Sequence, residues 1–209
     1  GSVATRHSKD LSYSCLGSYI SRSIYETNSD SVNAKFFNSI QDAINFCKTM
    51  GQSCLDIPYG IYNERIQIYG NFGPNGLLIK GNNAVINWTG TGPAVDIDQS
   101  VTGPAENWRQ NIRIYELNAT ADKSIGGSSA ARVAAVTDSV QVTASVDWRG
   151  GILRGGASGL VLDRCITSSF HGLTIRESGL AISSPDISNL LAFHDCRIVN
   201  NDRAGSFNN

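Results

Sequence analysis

The sequence predicts an all-β chain wound as a stacked solenoid, with a single helix near its start. Three observations carry this. Short strand-like stretches separated by turn residues run from residue 54 onward, and no second helical period interrupts them. A phrase recurs at a nearly constant offset. Trp148-Arg149-Gly150-Gly151-Ile152-Leu153-Arg154 lies over Phe170-His171-Gly172-Leu173-Thr174-Ile175-Arg176, and that over Phe193-His194-Asp195-Cys196-Arg197-Ile198-Val199, 22 and then 23 residues apart. The composition agrees: 21 Gly and one Met in 209 residues, and 17 % charged residues against a usual ~25 %. Sandwiches and barrels also contain many short strands, but neither has a reason to repeat a residue type at a constant offset. Stacked coils do, because like residues then form ladders along the axis.

The elements follow in order. Gly1-Ser2 reads as a cloning scar, and residues 3–37 as an aperiodic Ser- and Tyr-rich lead-in. Asn38 or Ser39 can cap a helix near 39–50 whose apolar face is Ile40, Ala43, Ile44 and Cys47, with Gly51 as its stop. Cys54-Leu55-Asp56-Ile57 then runs as a strand into a Pro58/Gly60 turn. Further strands are expected at 65–69, 76–80, 84–88, 94–98, 111–117, 133–136, 140–146, 150–154, 159–163, 172–176, 179–183, 190–193 and 196–199, with 118–147 as a long rung insertion. A second phrase, Gly92-Pro93-Ala94-Val95-Asp96-Ile97, returns as Ser158-Gly159-Leu160-Val161-Leu162 and as Ser178-Gly179-Leu180-Ala181-Ile182.

Charge excludes several classes. With 17 Lys+Arg against 18 Asp+Glu the net charge is −1, which leaves no electrostatic footprint for nucleic acid. No apolar run reaches the ~18 residues of a membrane span. The five cysteines, Cys15, Cys47, Cys54, Cys165 and Cys196, form no CxxC pair, so reduced and mostly buried thiols are expected. Neither a metal nor a cofactor is expected, since no ligand cluster, Walker loop or GxGxxG after a strand is visible.

Two motifs carry a resemblance. Ser39-Ile40-Gln41-Asp42-Ala43-Ile44 resembles the S-I-Q-x-A-I capping helix of the pectate-lyase-like superfamily, and Asp56-Ile57-Pro58-Tyr59-Gly60-Ile61-Tyr62 resembles its L-P-x-G-x-Y strand. The match covers 38–83 by motif and 84–209 by repeat pattern only. The family's G-D-G-x-x-D-D approach is absent; Asn33-Ala34-Lys35-Phe36-Phe37 stands in its place. The resemblance implies a right-handed single-stranded parallel β-helix with an N-terminal capping α-helix. Residues 1–37 would be the arm and 38–209 the β-helix, truncated at its C-terminal end. Within the superfamily the chain is most similar to bacteriophage tailspikes and capsular depolymerases. That implies a homotrimer on the virion tail that binds and cleaves a bacterial surface polysaccharide as hydrolase or lyase. The alternatives are a non-catalytic adhesin or virion stalk, and a secreted lyase or epimerase.

Glycan hydrolysis needs paired carboxylates about 5–9.5 Å apart, and coils stacked about 4.8 Å apart supply such pairs readily. The candidates are Glu177 on one rung with Asp195 and Asp202 on the next; Glu116 and Asp163 lie further off. Glu177 aligns with Asn200, however, and Ser178 with Asn201, so these positions also read as polar turn residues. For substrate binding the candidates are His171 and His194, Arg154, Arg176 and Arg197, and Trp88 and Trp108 as stacking platforms. The two histidines coincide in the repeat and so also read as a solvated stacked pair. Arg154 and Arg176 should face outward by alternation from Leu153 and Ile175, suited to acidic sugars or to solubility. The ladder Trp148, Phe170, Phe193 reads as packing. Asn87-Trp88-Thr89 and Asn118-Ala119-Thr120 match the N-glycosylation acceptor by a pattern frequent by chance.

Overall fold

A computed structural model describes residues 31–207 apart from 71, 74, 99–110, 135–144, 166–167, 187 and 189–190. Its strands make three sheets, all parallel, in a right-handed parallel β-helix. The first sheet holds Val32–Asn33, Cys54–Asp56, Leu77–Lys80, Asn111–Tyr115, Ser145–Arg149, Ser169–His171 and Ala192–His194. The second holds Ile61–Tyr62, Val85–Trp88, Asn118–Ala121, Ile152–Gly155, Thr174–Arg176 and Arg197–Val199. The third holds Ile66–Tyr69, Pro93–Asp98, Ser129–Ala134, Ser158–Asp163, Leu180–Ser184 and Arg203–Phe207. Each coil visits the three sheets in that order, and each strand pairs with its counterpart one coil away.

Alternation fills the bore. In the first sheet Val32, Leu55, Ile79, Ile114, Trp148, Phe170 and Phe193 stand in register from coil to coil. The first six are buried, and Phe193, on the final coil, is 37 % exposed. The Phe170 and Phe193 rings stack at 4.9 Å, an arrangement that adds about 0.5–1.5 kcal/mol to the area they bury. Ile86, Ala119, Leu153, Ile175 and Ile198 form the matching column of the second sheet, with Ile198 again exposed at the final coil.

The helix Ile40–Met50 closes the other end. Ser39 Oγ accepts from Asp42 N at 3.0 Å, and Gly51 ends the helix at φ 68°. Glu64 adds a second cap from the first coil, its carboxylate accepting from Ile40 N at 2.9 Å and Gln41 N at 3.2 Å. Ile40, Ala43, Ile44, Phe46 and Cys47 are buried against the bore.

Two expectations change. Residues 118–147 are not one insertion: they contain the strands Asn118–Ala121 and Ser129–Ala134 and the start of Ser145–Arg149. The rung is intact: the extra length of its coil is divided between the second-to-third corner 122–128 and the third-to-first connection 135–144, and in the coil before it the long connection is 99–110. In addition Val32–Asn33 pairs with Leu55–Asp56, so the first sheet begins inside the stretch read as lead-in.

Candidate functional site

The outer face of the second sheet carries two parallel rows, because every second side chain of a strand points out. The row beside the first-to-second corner is Ile61, Val85, Asn118, Ile152, Thr174 and Arg197; the row beside the second-to-third corner includes Asn87, Thr120, Arg154, Arg176 and Val199. Between them runs an open groove of about 400 Å³, lined by Ile61, Val85 and Ile152 on one wall and Asn87, Thr120, Arg154 and Arg176 on the other. Asn118 sits in the apolar wall with its amide committed to the backbone: it donates to Asn83 O at 3.0 Å and accepts from Ile152 N at 2.8 Å. Asn87 donates to the Asn63 side chain at 2.7 Å. The groove is therefore two-faced, aliphatic on one side and rich in amide, hydroxyl and guanidinium on the other.

Glu177 closes the polar wall. Its carboxylate accepts from Arg154 Nε at 2.6 Å and lies 3.7 Å from Arg176 Nε. The residue occupies the left-handed corner position, φ 60°, that Gly155 and Asn200 hold on neighbouring coils. Asp195 takes the equivalent left-handed position at the first-to-second corner, φ 54°, at the other end of the strand Arg197–Val199. Asp202 follows Asn200 and Asn201 at the second-to-third corner, on the coil after Glu177, and pairs with Lys123 at 2.7 Å. Glu177 and Asp202 thus share a corner, while Asp195 lies across the sheet from both.

His171 and His194 sit on the outer face of the first sheet, their rings stacked at 4.7 Å and 12° apart, with His171 Nε2 3.8 Å from Asp147. Arg197 is on the groove's face, one coil beyond Arg176. Trp88 begins a corner and packs partly against the core; its indole N–H donates to Thr91 O at 3.0 Å, which commits its polar edge. Trp108 and Cys15 lie outside the described residues. Cys47 and Cys165 are buried, Cys54 and Cys196 half-buried, and all four are free thiols.

A second concavity of about 480 Å³ flanks the first-to-second corner, lined by Lys80, Asn82, Tyr115, Glu116, Arg149 and Gly150. The Arg149 guanidinium lies over the Tyr115 ring at 5.7 Å and pairs with Asp147 at 2.8 Å. On the third sheet Asp96 is wholly buried and accepts from Arg65 at 2.5 Å, Arg132 at 2.8 Å and the Tyr69 hydroxyl. Burial works against the Arg132 guanidinium, but Asp96 and Asp98 outweigh it and hold its pKa above the ordinary range. Burial, then the bond to Asp96, raises that of Tyr69.

Sequence reading singled out the arginines but not the rest of their groove. Thr120 was hidden because 118–147 reads as an insertion; the alternation in Asn118-Ala119-Thr120-Ala121, set under Val85-Ile86-Asn87-Trp88, is the signal that recovers it. Asp96 gave no sign beyond being an acid within a run of apolar residues. Among the described residues no group of three or more His, Cys, Asp or Glu could hold a metal ion, and no helix is long and apolar enough to cross a membrane. No family model matches the chain, and no curated protein or solved structure does either.

Proposed function

We propose that this β-helix binds an acidic bacterial surface polysaccharide along the outer face of its second sheet, as the receptor-binding part of a tailspike-like virion protein. The observation that carries the reading is the two-faced groove. A pyranose presents C–H groups on one side and hydroxyls on its rim, and here Ile61, Val85 and Ile152 oppose Asn87, Thr120, Arg154 and Arg176. Guanidiniums add pairing with carboxylate or sulfate groups on the sugar. The coil spacing of about 4.8 Å gives a polymer a row of equivalent contacts.

The experiment is a binding screen of the whole chain against purified capsular polysaccharides, each beside its carboxyl-reduced form. Acidic members should bind, and Arg154→Gln with Arg176→Gln should weaken binding by tenfold or more. Binding that ignores carboxyl reduction and both arginines overturns the reading. Depolymerisation is the enzymatic form of the same proposal. It is scored by new reducing ends for a hydrolase or by the ultraviolet absorbance of unsaturated sugars for a lyase.

A second reading, a rigid virion shaft, is favoured by the three parallel sheets in continuous register. A chain that binds nothing in the screen supports the shaft. Both readings expect a homotrimer, and a clean monomer by light scattering at high concentration counts against both.

A further inference from the structure

Glu177 occupies a place where its residue type is not needed. The corner calls for a residue tolerant of left-handed backbone, and Gly155 and Asn200 meet that demand one coil to either side, at φ 72° and 56°. Glycine suits the conformation best, and among other residues asparagine and aspartate are the enriched types. Glu116 holds the same left-handed backbone at the first-to-second corner, φ 52°, so it is the contacts of the Glu177 side chain and not its backbone that set it apart. That side chain reaches into the polar wall of the groove and joins two guanidiniums of successive coils, Arg154 at 2.6 Å and Arg176 at 3.7 Å. Arg176 Nε is buried and, among the described residues, has no hydrogen-bond partner. Two cations therefore face one carboxylate, and among the described residues Glu177 is their acidic partner.

Resting on the acidic-glycan reading above, we infer that Glu177 is an internal stand-in for the ligand's anionic group, a latch that a carboxylate or sulfate on the glycan displaces. Latched, the carboxylate offsets part of the repulsion between two guanidiniums that the strand register holds side by side. A neutral sugar has nothing to exchange for the Glu177 carboxylate, so it leaves the latch closed. An anionic group makes a like-for-like exchange: it takes the guanidinium donors, and Glu177, itself 38 % exposed, turns into water. Glu177 is then a selectivity residue that lowers affinity for every anion and so admits only ligands with further contacts along the groove.

The test uses the whole chain as wild type, Glu177→Gln and Glu177→Asn, the second being the residue already found at the equivalent corner. Sodium sulfate is titrated while the Nε–H signals of Arg154 and Arg176 are followed by NMR. Both variants should bind sulfate roughly three- to tenfold more tightly than wild type at low salt, with the gain fading as ionic strength rises. Equal or weaker sulfate binding in both variants overturns the latch. Oligogalacturonate and its carboxyl-reduced form supply the second readout: the variants should gain affinity for the acidic form and not for the reduced one, and an equal gain for both also overturns it. Tighter sulfate binding in a chain that ignores every capsular polysaccharide leaves the latch standing and removes the glycan reading.

Discussion

The side-chain amide of Gln41 is bonded to the backbone of Gln67 in both directions, accepting from its N–H at 2.6 Å and donating to its carbonyl at 3.1 Å. Gln67 lies on Ile66–Tyr69, the edge strand of the third sheet, and Lys48 Nζ bonds Tyr69 O on the same edge at 2.8 Å. The helix thus supplies from its side chains the partners that another strand would have given, which blunts an edge otherwise open to pairing. Gln41→Leu should cost about 1–3 kcal/mol in denaturant unfolding, because it leaves Gln67 N–H unmet. Gln41→Glu should fall between, since a carboxylate can accept from the N–H but not donate to the carbonyl. An unchanged midpoint for Gln41→Leu would show the edge is satisfied by other means.

Asp96 is the buried hub of the third sheet, and removing its charge leaves Arg65 and Arg132 without their shared counterion. Asp96→Asn should destabilise by about 3–5 kcal/mol. Tyr69→Phe, which deletes one neutral donor to the same carboxylate, should cost about 1–2 kcal/mol. Comparable losses for the two variants would mean that the charge is not what the cluster depends on.

Trp148 is wholly buried, yet its indole N–H has no partner among the described residues. Its register neighbours are Ile114 and Phe170. Trp148→Phe loses volume but also removes a buried unmet donor, so the two effects should offset to within about 1 kcal/mol, whereas Trp148→Ala should cost about 3–5 kcal/mol. Thermal unfolding of the pair checks this; a Phe variant as unstable as the Ala variant would contradict it.

Burial pushes the Cys47 thiol from 9.0 up to about 12, with Cys54 adding to the shift, and burial pushes Cys165 up to about 11. Between these values and 9.0 the unfolded chain releases thiol protons that the folded chain keeps, so stability falls as pH rises. For Cys47 the loss approaches roughly 4 kcal/mol once pH passes its folded value. Denaturation midpoints measured from pH 8 upward should decline in wild type and decline less in Cys47→Ala. Identical slopes would remove Cys47 as the cause.

The helix was legible because its signals are local: Ser39 caps it, Gly51 stops it, and the apolar spacing from Ile40 to Cys47 falls on one face. The later coils were legible for a different reason. Trp148, Phe170 and Phe193 recur at 22 and 23 residues, so a ladder shows directly in the chain. Upstream the same ladder runs from Ile79 to Ile114 to Trp148, 35 and 34 residues apart, and the repeat is masked by chain length alone. The groove depended on that masked part, since Asn87 and Thr120 join Arg154 only once the register is known. The Asp96 cluster was not legible: its partners Arg65 and Arg132 stand 31 and 36 residues away, and no local pattern links them.

The uneven coil lengths have a further meaning. The corners flanking the second sheet are two to four residues long with one exception, the seven residues 122–128. Thr120 and Arg154 stay in register although that long corner lies between them in the chain, so the groove keeps its pitch and behaves as a ruler graduated in coils. A polymer whose repeat is commensurate with that pitch meets the same spacing wherever it lands. Duplicating one coil would lengthen the ruler by a single graduation.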